Sequence, residues 1–161
     1  MTTLTVYANI IVMSELVAIA EIPQNEHTEI LVRQAAELLF REVNQKEMGD
    51  SPDDLVAQKI SLDDVKHRRL FVGVDKTGDV VAAAGLTRSS EPTVDRIAVE
   101  PEYRREHIGG QLLSAVEGAA KEDGANQLIL YPTDSSIPFY TAQGFEVVAD
   151  EDGSHLAKTL K

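Results

Sequence analysis

The sequence predicts an α/β fold: a mixed, mostly antiparallel central sheet flanked by helices. Three observations predict it. The spacing of apolar residues switches along the chain between the strand period and the 3.6-residue helix period. Two turn signals, Asp75-Lys76-Thr77-Gly78 and Asp152-Gly153, mark hairpins. Between them, Val94–Leu113 reads as a strand, a turn through Pro101 and a helix. The full order is strand, helices, hairpin, strand, helix, strand, short helix, hairpin, which suits helices on the faces of a mixed sheet.

Residues Thr3–Met13 are rich in Thr, Val, Tyr and Ile and read as extended chain. Ser14 and Glu15 interrupt them, and Leu16–Ile22 is a second strand closed by Pro23. Either one bent strand or two fits this pattern. Asn25 or Thr28 caps the next helix, which runs to about Asn44 with Leu31, Ala35, Leu38, Leu39 and Val43 on one stripe. Ser51-Pro52-Asp53-Asp54 starts a helix to Ile60, with acids at the positive end of its dipole. Ser61-Leu62-Asp63-Asp64 starts a shorter piece to His67.

Leu70–Val74 and Asp79–Leu86 form the first hairpin, with Gly78 suited to positive φ. Ala82-Ala83-Ala84-Gly85 gives the return strand a small-residue floor, which a ligand or helix can approach closely. After the strand Val94–Val99, a helix begins near Arg105 or Glu106. It carries Ile108, Leu112, Leu113, Val116 and Ala120 on one face and ends at Asp123-Gly124. Gln127–Tyr131 is a strand, Ser135–Gln143 a short helix before Gly144, and Phe145–Ala149 with His155–Leu160 the last hairpin.

The chain has 161 residues, which suits one domain over 1–161, with residues 1–15 as an extra N-terminal strand. A net charge of −12 argues against nucleic acid and against an anionic membrane surface. It suits a cationic small molecule or basic peptide, and equally suits solubility alone. Without cysteine there is no disulfide, thiolate metal site or cysteine nucleophile. Leu4–Ile22 contains Asn9, Ser14, Glu15 and Glu21, which makes it a poor signal peptide and a poor membrane span. The reading is a cytoplasmic protein.

The chemistry concentrates at the turn after Val99. Free amides and the positive dipole end of a helix point the same way there, and Arg104 and Arg105 add counter-charge. That is a place to hold phosphate. The plainer reading is that Gly109-Gly110 only lets the helix pack closely on the sheet. The strings of a P-loop, a dinucleotide fingerprint and a hydrolase elbow are absent. His27, His67, His107 and His155 lack metal-ligand spacing, so no metal is expected.

The string Val99-x-Pro101-Glu102-Tyr103-Arg104-x-x-His107-Ile108-Gly109, followed by Leu112-Leu113, resembles the acetyl-CoA-binding motif of GNAT-type N-acetyltransferases. Ile137-Pro138-Phe139-Tyr140-Thr141-Ala142-Gln143-Gly144-Phe145 resembles that family's second signature. The likeness covers roughly Leu16–Leu160 and is weakest before Leu70. One departure stands out: His107 occupies the position of the motif's first glycine. Glycine there lets the backbone approach a pyrophosphate, so the His107 side chain must turn outward or itself meet phosphate.

The resemblance implies direct transfer of an acetyl group from acetyl-CoA to an amine. It implies that the pyrophosphate is held by Arg104, Arg105, Glu106, His107, Ile108, Gly109 and Gly110, mainly through their amides. The pantetheine arm pairs with the strand edge Ile97, Ala98 and Val99 like an added strand. One amide there faces the developing oxyanion, a donor worth ~3 kcal/mol. An ammonium of pKa about 10 must first lose a proton.

The resemblance makes Tyr140 the general acid; the residue by itself reads equally as packing beside Phe139. For the base, Asp95 acting through a water and Glu91 are candidates, and both also fit solvated surface acids. Thr133 matches a polar CoA contact. Relatives are often homodimers, and Thr3–Met13 could add a strand to a partner's sheet. The alternative function is a non-catalytic acyl-CoA-binding or sensing module of the same fold.

Overall fold

The computed structural model describes residues 9–13, 17–23, 26–39, 68–104, 107–132, 134–151 and 153–160, with the backbone alone at 9–13, 95, 96, 134 and 150. The helical expectations over Ser51–Ile60 and Ser61–His67, and the extension of the first helix to Asn44, lie outside these residues.

Eight strands form one sheet in the order β1-β2-β3-β4-β5-β6-β8-β7. They are β1 (Asn9–Met13), β2 (Val17–Ile22), β3 (Arg68–Asp75), β4 (Val80–Thr87), β5 (Thr93–Val99), β6 (Gln127–Leu130), β7 (Glu146–Asp150) and β8 (Gly153–Thr159). The helices are α1 (Glu29–Leu39), α2 (Ile108–Glu122) and α3 (Ile137–Ala142). Every neighbouring pair is antiparallel except β5 and β6, which run parallel. The mixed, mostly antiparallel sheet with flanking helices is therefore the architecture that the sequence predicts. Among the described residues the N-terminal stretch forms two strands: Asn9 pairs with Glu21 and Met13 with Ala18, which puts β1 at one edge of the sheet.

Side-chain alternation divides the sheet into two cores. On one face, Val17 and Ile19 of β2, Ala82 and Ala84 of β4 and Leu128 and Leu130 of β6 pack with Ile108, Leu112, Leu113 and Val116 of α2. On the other, Ala20, Ile22, Leu70, Val72 and Ala83 pack with Leu31, Val32, Ala35, Leu38 and Leu39 of α1. The alanine run of β4 thus lies between two helices, and small side chains let both come close. At Gly73, opposite Ala82, an added Cβ would sit 2.9 Å from Val17 Cγ1 and 3.7 Å from Ile108 Cγ2. The glycine therefore keeps room for Val17 and Ala82 on the neighbouring strands, with Ile108 of α2 at ordinary contact distance above it.

Helix ends follow local chemistry. The Thr28 hydroxyl donates to the Pro23 carbonyl, while its own carbonyl accepts the Val32 amide at 2.9 Å. Gly124 ends α2 with φ 83. The far end of α2 is tied to the sheet by Arg69, whose guanidinium donates to Glu21 of β2, to Asp123 Oδ2 at 2.7 Å and to the Ala119 carbonyl at 3.2 Å. The Arg69 side chain is only 13% exposed, so these partners replace water.

Replacing Arg69 with Leu leaves the Glu21 carboxylate without its guanidinium and removes the ties to Asp123 and the Ala119 carbonyl, and stability falls by about 2 kcal/mol. Removing Arg33, whose pair with Glu29 is exposed on both sides, changes stability by less than about 0.5 kcal/mol. Urea unfolding of both variants checks the contrast, and equal effects would contradict it.

Candidate active site

The site begins where two strands separate. β5 and β6 pair only at Thr93–Ile129 and Val94–Leu130. Two local features end the ladder. In the register with β4, Gly85 faces Arg96 and Leu86 faces Val94, so Asp95 is an extra residue that bends β5. On the other side Pro132 follows β6 closely and has no amide to donate.

Beyond Val94, β5 therefore presents an edge without a strand partner among the described residues. The Glu100 amide donates to the Val81 carbonyl of β4 at 2.8 Å. By alternation, the N–H and C=O groups of Ile97 and Val99 point away from β4, into the gap, and those of Ala98 point toward β4. The Val99 carbonyl meets Arg104 Nε there at 3.1 Å.

The chain leaves β5 through a single 3-10 turn, Pro101–Tyr103. The Tyr103 hydroxyl donates to Asp75 Oδ2 at 3.1 Å, which ties this turn to the β3–β4 hairpin. Asp75 is the hub of that hairpin: its Oδ1 accepts from the Thr77 hydroxyl at 2.6 Å and the Asp79 amide at 3.1 Å. Burial pushes the Asp75 carboxyl up, but the bonds from Thr77, Asp79 and Tyr103 outweigh it, and the carboxyl titrates below its ordinary value.

The helix begins at Ile108, not at Arg105 or Glu106 as the sequence pattern suggests. The reason is His107, the residue before it, which has φ 61 and ψ 14. That left-handed conformation cannot continue into a right-handed helix turn, so α2 starts after it. Glycine would adopt the same left-handed backbone without steric cost. His107 itself is exposed. The first intrahelical bond runs from the Gln111 amide to the His107 carbonyl at 3.1 Å. The amides of Ile108, Gly109 and Gly110 precede it and are left for other acceptors at the positive end of the dipole.

The two glycines face α3. A Cβ at Gly109 would come 3.3 Å from Phe139 Cζ and 3.8 Å from Val99 Cγ2, and one at Gly110 would come 3.4 Å from Gln143 Nε2. Their small size thus admits α3 side chains, a contact that the sequence pattern does not announce. Tyr140 is buried in the α2-face core, with its ring 5.0 Å from Phe139 and 5.9 Å from Phe145. Burial pushes its phenol up to about 12.

The structure thus brings Ile97, Val99, Arg104, His107, Ile108, Gly109, Gly110 and Phe139 around one gap, with Tyr140 packed against Phe139. Glu91 is exposed in the bend before β5, at the opposite end of that strand from α2. Asp95 is placed by its backbone only, at the bulge. Arg105, Glu106 and Thr133 lie outside the described residues. An acidic cleft of about 400 Å³ adjoins the turn on the α1 side, lined by Glu37, Asp75, Asp79, Glu100, Glu102 and Tyr103 among others. Its charge disfavours an anion there. Among the described residues no three His, Asp or Glu are placed to hold a metal ion, and no helix is long and apolar enough to cross a membrane.

Comparison with known proteins adds a family. The model of the acetyltransferase (GNAT) domain matches residues 66–147. An uncharacterized N-acetyltransferase of Bacillus subtilis, YjcF, is 32% identical over 77 residues, which are 47% of this chain and 55% of that protein. The match thus spans about half of that relative's length. A GNAT-family acetyltransferase from Staphylococcus aureus Mu50 superposes with TM-score 0.69 at 20% identity, over 89% of this chain and 100% of the other. The PaiA N-acetyltransferase of Thermoplasma acidophilum, solved in complex with coenzyme A, gives TM-score 0.68 at 19% identity, over 91% and 99%.

The left-handed His107 is a liability that glycine would relieve. His107→Gly raises stability by about 1 kcal/mol, and His107→Val lowers it by a similar amount. Chemical denaturation of the two variants measures this; a less stable glycine variant would mean that the imidazole makes a stabilising contact.

Proposed function

Because the chain belongs to the GNAT acetyltransferase family, we propose that it moves the acetyl group of acetyl-CoA directly to a primary amine on a small molecule, peptide or protein. The observation that carries this reading is the β5 edge beyond Val94, which has no strand partner among the described residues and opens beside the start of α2. An extended, amide-bearing arm can complete that edge as a strand would, pairing with Ile97 and Val99. At the end of the same edge, the amides of Ile108, Gly109 and Gly110 suit a diphosphate, with Arg104 in the preceding turn. The acidic cleft on the α1 side repels phosphate and so favours the gap.

When bound, acetyl-CoA supplies the thioester whose carbonyl the amine attacks. This chain's part is to hold, orient and manage protons. Strand pairing fixes the arm, and an edge amide of β5 is oriented toward the carbonyl oxygen. Tyr140 keeps its proton throughout the neutral range, because burial raises its phenol to about 12. Complete transfer to a thiolate of pKa near 8.5 would be uphill by roughly 5 kcal/mol in that environment. Tyr140 therefore acts first as a hydrogen-bond donor that stabilises the departing sulfur. Asp95, at the bulge, is the preferred base, acting through a water. Glu91 is the weaker candidate, since it sits exposed outside the gap.

Thiol release from acetyl-CoA with a panel of amines tests the reading. Tyr140→Phe lowers kcat by about 10²-fold while affinity for acetyl-CoA is kept. Unchanged turnover in that variant would remove the donor role. CoA binding without thiol release from any amine would favour the non-catalytic module.

A further inference from the structure

Lys158 lies on β8, outside both sequence signatures, yet it meets α2 and the end of α3 at once. Its Nζ donates to Glu117 Oε1 at 3.0 Å, to Glu117 Oε2 at 3.1 Å and to the Gln143 carbonyl at 2.8 Å. An ammonium has three donors, so this set matches its capacity. The two side chains are 28% and 14% exposed, which keeps water from substituting freely. The ammonium also lies 5.9 Å from the centroid of the Phe145 ring. Gly144, with φ 96, makes room for the lysine stem: a Cβ there would approach Lys158 Cε to 3.3 Å.

We infer that Lys158 is a positioning residue that clamps the C-terminal end of α3 to α2 and so fixes the Tyr140 phenol at the gap. The inference rests on the reading of Tyr140 as the donor to the departing sulfur. α3 has six residues, too few to hold itself as a helix. Its last turn closes on the Tyr140 carbonyl, which accepts the Gln143 amide at 3.0 Å and the Phe145 amide at 3.2 Å. Lys158 grips the carbonyl of Gln143, just past the helix, where a cation complements the negative end of the helix. Glu117 anchors the same ammonium to α2, whose first turn borders the gap. The Gln143 side chain and Phe139 line that first turn at Gly110 and Gly109. Phe145, under the ammonium, packs edge-on against Tyr140. Of the two rings against Tyr140, Phe145 lies under the Lys158 ammonium and Phe139 is its neighbour in α3, whereas the bonds of Lys158 named above go to Glu117 and Gln143 and to no β5 or α2 amide.

This separation predicts a split between chemistry and binding. Lys158→Met keeps the stem and loses the clamp: kcat falls about tenfold or more, while KM for acetyl-CoA stays within about threefold. Lys158→Arg keeps a cation at the site and recovers most of the lost kcat. In the double variant with Tyr140→Phe, Lys158→Met causes little further loss, because the group it positions is already gone. Multiplying losses, or a kcat unchanged in folded Lys158→Met, would overturn the inference and leave the Tyr140 reading intact. A kcat unchanged in Tyr140→Phe alone would end both. Should Lys158→Met fail to fold, Glu117→Gln decides by the same cycle: it keeps an acceptor, weakens the clamp, and must lower kcat without adding to Tyr140→Phe.

Discussion

A parallel pair of strands that bonds over two residues and then parts is the constraint on which the rest depends. Backbone donors and acceptors seldom go unmatched in a sheet interior. β5 nevertheless turns the polar groups of Ile97 and the amide of Val99 toward a side with no strand partner among the described residues, while the Val99 carbonyl accepts from Arg104. An exposed edge of this kind calls for a partner from outside the sheet. The gap is also bordered by the amides that begin α2, which suit an anion. The proposed ligand, coenzyme A, joins an amide-bearing arm to a diphosphate and so would meet both features.

Keeping the gap open is distributed work. The extra residue at Asp95 bends one wall away, and Pro132 stops the other from following. Tyr103 holds the connecting turn to the hairpin through Asp75. The small floor of β4 packs in one core with Ile108, which is buried at the start of α2. Arg69 secures the far end of that helix and Lys158 its middle. The phenol of Tyr140 is buried among these supports, which both raises its pKa and restricts where it can donate.

Much of this was legible in the sequence because it is local. The hairpin at Asp75–Gly78, the glycine that ends α2, and the strand–turn–helix unit are written in consecutive residues. The apolar stripe of α1 and that of α2 are the ones that pack. What escaped depends on pairs far apart in the chain. The separation of β5 from β6 is a register between residues 93–94 and 129–130. The clamp joins Lys158 to a glutamate 41 positions earlier, and a lone lysine near a hairpin carries no signal for it. The sequence pattern puts the start of α2 too early because polar, helix-compatible residues precede Ile108, and only the backbone reveals His107 as left-handed. Gly144 before Phe145 hinted at a helix end, but not at the lysine stem that crosses it.

Amide hydrogen exchange, with and without coenzyme A, tests the central claim most directly. The account predicts new protection at Ile97 and Val99 and at Ile108, Gly109 and Gly110, with Ala98 already slow through its pairing with β4. Protection confined to other parts of the molecule, or no change at saturating coenzyme A, would contradict it.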